Sequence, residues 1–134
     1  MTKTTVRRFR AVCVIVLILA TGCSGPGRPT EEVWLPEWDA AVDVVPSEAD
    51  LGATPTRDTC NDILAELRDA RQGIEPTPYE AVDAPVREWF EIAEAMFFEC
   101  PPNQVGLDGF HEGYEQLGVF QAEVDAGLAA EPGS

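Results

Sequence analysis

The side chains able to do chemistry in this chain are few and scattered. His111 is the only histidine. In the run His111-Glu112-Gly113-Tyr114-Glu115 it stands one helical turn from Glu115, a spacing at which an imidazole and a carboxylate can share a metal ion. A zinc helix of the His-Glu-x-x-His type needs a second histidine, and there is none. His111 therefore reads as a surface residue. Glu88, Glu91, Glu94 and Glu99 form an acidic run. Calcium sites and paired-carboxylate catalysis need oxygens converging from loops or across a pocket. Spread along one helix, these glutamates read as its wet face. The sequence holds no Gly-x-Ser-x-Gly, no phosphate-binding glycine loop and no basic-aromatic stretch for nucleic acid. The expectation is a protein that is not an enzyme and takes no cofactor or metal.

That leaves the cysteines, at 13, 23, 60 and 100. The first two lie in or just after an N-terminal segment of distinct build. Lys3, Arg7, Arg8 and Arg10 form a basic start. Ala11 to Ala20 (AVCVIVLILA) carries no charge. Small residues then lead to Cys23, in the order of a secretory signal. The apolar run is too short for the roughly 20 residues that span a bilayer, and Pro26 and Pro29 follow it.

Leu19-Ala20-Thr21-Gly22-Cys23 resembles the end of a bacterial lipoprotein signal, and the resemblance covers residues 1–24. The family pattern has small or aliphatic residues before the cysteine, a small residue just ahead of it, and no nearby charge. Alanine at the third position before the cysteine, in place of the more typical leucine, is a departure. The resemblance implies removal of residues 1–22 and a diacylglyceryl group on the Cys23 thiol. Two acyl chains make a stable membrane anchor, where one is marginal. The implied location is the outer face of the cell membrane, or the periplasmic face in a diderm.

On that reading Cys13 is removed and Cys23 carries lipid, so Cys60 and Cys100 remain to form one disulfide. An exported compartment lets such a bond persist. It closes a loop of about 41 residues, which in the chain-entropy model stabilises by about 4 kcal/mol. Removing residues 1–22 also shifts the charge. Four of the nine basic residues go with the signal, while all 24 acidic residues stay. The remaining side-chain charge of −19 repels nucleic acid and anionic headgroups.

The elements that must position these residues follow from periodicity. Residues 23–55 read as a lipidated cysteine and an extended tether, since Pro26, Pro29, Pro36, Pro46 and Pro55 punctuate them. As a coil this stretch spans roughly 30 Å. Trp34, Leu35 and Trp38 are unusual in a tether. They either fold back over an apolar helical surface, or present a short peptide to a partner, or enter the lipid interface. Residues 56–73 form the clearest helix, with Thr56 or Thr59 as cap, Cys60, Ile63, Leu64, Leu67 and Ala70 on one face, and Gly73 at the C-terminal cap. Residues 78–99 form a second, with Thr77 as N-cap, an interruption or kink near Pro85, and an Asp83–Arg87 pair. Its stripe runs through Val82, Val86, Trp89, Phe90, Ala93, Met96 and Phe97, widened by Ile92 and Phe98. Residues 105–129 form a third, weakened by Gly106, Gly109, Gly113 and Gly118 unless another helix packs close there.

The expected fold is all-α: a small antiparallel three-helix bundle over residues 56–130, braced by Cys60–Cys100 and preceded by a Pro-rich tether. The expected role is a non-catalytic binding or accessory module at a bacterial envelope, held by lipid on Cys23, with a possible envelope protein as partner and no nucleic acid. Two other roles fit the same residues. One is a small-ligand binder with an aromatic-lined cavity. The other is a phage-type envelope exclusion lipoprotein.

Overall fold

The computed structural model describes residues 27–51, 55–100 and 104–130. Every regular element among them is a helix: α1 Glu31–Val44, α2 Glu48–Leu51, α3 Arg57–Ile74, α4 Glu80–Glu99 and α5 Gln104–Ala129. The all-α expectation and the Cys60–Cys100 disulfide are both present. The three-helix count is not: α1 and the one-turn α2 lie in the stretch expected to be an extended tether.

The reason for α1 is burial. Trp34, Trp38 and Ala41 recur at i, i+4 and i+7, and all three are core residues. Thr30 occupies the N-cap position in extended backbone, and Glu31 and Glu32 follow in the first turn, where the helix dipole favours negative charge. Pro36 lies inside the helix on its exposed side. It deprives the Glu32 carbonyl of its helical donor, but Glu32 is itself exposed, so water can take that place. Two buried indoles outweigh the loss, since burying a large apolar side chain contributes about 1.5–3 kcal/mol.

The long helices run alternately up and down, as their contacts show. Trp34 at the start of α1 donates to the Ile74 carbonyl at the end of α3. Cys60 near the start of α3 joins Cys100 just past α4, and Arg71 near the end of α3 pairs with Glu91 and Glu94 of α4. Phe97 of α4 meets Phe110 of α5, while Val82 of α4 faces Gly127 of α5. Leu35 of α1 shares a cleft with Leu128 of α5. The result is a four-helix arrangement in which α1 fills the side that α3, α4 and α5 leave open.

Several local expectations shift for identifiable reasons. Thr56 is the cap of α3 and accepts from the Thr59 N–H at 3.1 Å. The helix then runs through Gly73 to Ile74, whose side chain is buried. α4 starts at Glu80 rather than at Pro78, because Thr77 is buried and its hydroxyl is engaged with the Tyr79 carbonyl and the Asp83 carboxylate instead of capping. Pro85 sits inside a continuous α4, early enough that only the Ala81 carbonyl loses its donor. α5 is also continuous. A Cβ added at Gly113 would meet the Met96 side chain at 2.5 Å, and one at Gly127 would meet Val82 at 3.0 Å. Glycine at those two positions lets α5 approach α4.

Candidate functional site

The three tether residues singled out from the sequence occupy different places. Trp34 and Trp38 are 2% and 4% exposed. Their rings stack 5.7 Å apart and nearly parallel, and Trp38 meets Trp89 and Phe90 of α4 edge to face. Leu35 is partly buried against the core and lines the cleft between α1 and α5. In this arrangement the indoles cover the apolar surface of the bundle and are not offered to solvent. The Trp89 indole N–H finds no acceptor among the described residues, and its ring lies edge-on to Trp38 at 5.2 Å.

Of the aromatic residues that could line a cavity, Trp89, Phe90, Phe97 and Phe110 are buried in the core and Tyr114 is partly buried. Trp89 packs on Phe90 at 5.1 Å, and Phe97 packs on Phe110 at 5.6 Å. Phe98 points the other way and is 72% exposed. Two concavities among the described residues lie at the periphery. A cleft of about 610 Å³ is lined by Glu31, Glu32, Leu35, Asp125, Leu128 and Ala129. A mostly apolar groove of about 390 Å³ lies beside the start of α1, with Pro29, Val33, Trp34 and Pro76 among its walls.

The most organised polar cluster is one that sequence reasoning missed. The Arg28 guanidinium donates to the Thr77 carbonyl at 3.0 Å and to both carboxylate oxygens of Asp83 at 3.1 and 3.0 Å. The Thr77 hydroxyl donates to the same carboxylate at 2.6 Å. Tyr79 adds a bond from its hydroxyl to Glu31 at 3.3 Å. A bidentate arginine–carboxylate pair of this kind fixes orientation as well as distance. The Arg28 hydrogen bond holds the Asp83 carboxyl below the usual carboxylate range, with Thr77 adding to the effect against the cost of partial burial. Asp83 therefore does not pair with Arg87, which lies 3.4 Å from Glu75. Gly27 precedes the cluster with φ +78°, a backbone conformation that L side chains rarely adopt, so glycine is needed there for the chain to turn into Arg28. Arg28 and Asp83 are 55 residues apart, so no local pattern could have announced the pair.

At the opposite end, His111 is 3.1 Å from Glu48 and 3.4 Å from Glu115, on an exposed surface. Tyr114 donates to the Pro46 carbonyl at 2.7 Å, tying the α1–α2 link to α5. Burial, aided by the nearby Glu48 charge, pushes the Tyr114 phenol up to about 12. Glu91 and Glu94 face Arg71 across the α3–α4 surface, which makes them a surface ion-pair group worth little net stability. Among the described residues, no three His, Cys, Asp or Glu side chains are placed to hold a metal ion, and no helix is long and apolar enough to cross a membrane. Cys23 and the signal-like segment 1–22 lie outside the described residues.

No protein-family model, curated protein or solved structure matches this chain.

Proposed function

We propose that the protein is a lipid-anchored, non-catalytic binding or accessory module on the outer face of a bacterial envelope membrane. The observation that carries this reading is the Leu19-Ala20-Thr21-Gly22-Cys23 stretch behind a basic, then apolar, N-terminus. The chain after residue 22 is strongly acidic, which disfavours spreading its surface over anionic headgroups. The filled aromatic core favours an interaction made on the outside of the bundle over a ligand held within it.

Cys23→Ser tests the anchor. The native chain is expected in the membrane fraction with a diacylglyceryl mass on Cys23, and the variant is expected to lose both the mass and the membrane. A variant that remains membrane-bound with unchanged processing overturns the reading. The binding role is tested by crosslinking in intact cells, where one envelope protein should be recovered repeatedly. Consistent recovery of none counts against it.

A further inference from the structure

We propose that the Arg28 clamp decides which end of the bundle meets the membrane: the start of α4 and the 75–79 loop lie against the bilayer, and the disulfide end stands away from it. This rests on the reading of Cys23 as the lipid anchor. Five peptide units separate Cys23 from Arg28, a reach of at most about 18 Å when fully extended. α4, with 20 residues, is about 30 Å long. The anchor cannot pay out further chain without structural loss. Arg28 is held by Thr77 and Asp83, and α1 begins at Glu31 with Trp34 and Trp38 already in the core. Gaining length means breaking the clamp and unpacking α1.

Two further observations favour end-on contact with a lipid surface. The apolar groove of about 390 Å³ opens beside the chain's exit, with Val33 66% exposed at its wall. It is the apolar part of the end that the tether brings down. That end is itself acidic, with exposed Glu32, Glu75, Glu80 and Asp125, but the flanks of the bundle add exposed Asp62, Glu66, Asp69, Glu88, Glu91 and Glu112. Laying those sides on anionic headgroups brings like charges within the roughly 10 Å over which they repel at moderate salt.

Energy transfer from two positions on one helix tests this. The lipidated full-length protein is reconstituted into phosphatidylethanolamine–phosphatidylglycerol vesicles that carry a headgroup acceptor. A fluorescent non-canonical residue replaces exposed Glu80 or exposed Glu99, at the two ends of α4. The expected result is strong transfer from position 80, weak transfer from position 99, and a height difference approaching the ~28 Å rise between them. Equal transfer, or stronger transfer from position 99, overturns the proposal. Inserting about 20 Gly/Ser residues after Gly25, enough for a coil of roughly 25 Å, should erase the difference. A difference that survives the insertion also overturns the proposal, because the tether would not be its cause. Mass spectrometry separates the two readings. Protein without lipid on Cys23, absent from the vesicles, refutes the anchor and the orientation together. Lipidated protein with equal transfer refutes the orientation alone.

Discussion

At one end of the bundle a covalent bond crosses between helices, Cys60 of α3 to Cys100 beyond α4. At the other end the crossing is made by hydrogen bonds: Arg28 to Thr77 and Asp83, and Trp34 to the Ile74 carbonyl. The difference follows from which helices need holding. α3, α4 and α5 are consecutive and share a long apolar seam, and the disulfide acts on the unfolded chain by closing a loop between the first two. α1 is tied to the other helices by no disulfide among the described residues. Its attachment depends on indole burial and on polar bonds whose strength depends on charge state. The Cys60–Cys100 bond itself carries no charge to titrate, whereas the Arg28–Asp83 pair needs an ionised carboxylate, and the clamp has no thiol chemistry.

Breaking the covalent end should have the largest effect. The double variant Cys60→Ala/Cys100→Ala should lose about 4 kcal/mol in denaturant unfolding. A loss below about 1 kcal/mol would mean that packing alone holds that end. At the clamp end, Trp34→Phe keeps most of the ring but leaves the buried Ile74 carbonyl without its donor. It should cost about 1–3 kcal/mol, seen as a lower denaturant midpoint.

The charge dependence can be tested from both sides of neutrality. Asp83 is held below its ordinary 3.8, so the folded state favours the carboxylate. Its contribution is complete above 3.8 and is lost as pH falls through the lowered folded value. Asp83→Asn should therefore lower the melting temperature near neutrality and lie closer to the native protein as the solution is acidified. Parallel melting curves across that range would show that the clamp carries no charge dependence. Tyr114, at the disulfide end, is the converse. Its phenol is favoured neutral in the fold, so its contribution is present below 10.0 and is lost as pH rises through about 12. Tyr114→Phe should cost about 1 kcal/mol at neutral pH and flatten that alkaline loss. The smallest effect belongs to Phe98→Ser, within about 0.5 kcal/mol. Phe98 is mostly exposed, so a larger loss in thermal unfolding would show that the disulfide end is packed more extensively than its contacts indicate.

The parts of this molecule legible from sequence are those with short-range causes. α3, α4 and α5 declare themselves because apolar residues recur every three or four positions opposite a charged face, and Thr56 caps α3 by a contact only three residues long. The disulfide partners follow once the anchor reading removes the other two cysteines. α1 carried the same kind of signal in Trp34, Trp38 and Ala41, led by Thr30, but the prolines around it read as a tether. A proline on the wet side of a helix costs less than its reputation when the opposite side buries two indoles. The clamp was not legible for a different reason. Asp83 has a local candidate partner in Arg87 and a distant one in Arg28, and the distant one wins because Thr77 presents its carbonyl and hydroxyl to the same spot. No spacing rule reaches across 55 residues.

Cys60 is fully buried and Cys100 is 8% exposed. A dissolved reductant must touch a sulfur to break the bond, and in the closed bundle that approach is shielded by the core. Reduction then requires the helices to part first, so its rate combines the opening of the bundle with the reactivity of the reductant. Loss of the Cys60–Cys100 bond under native conditions becomes a chemical probe of how often that end opens.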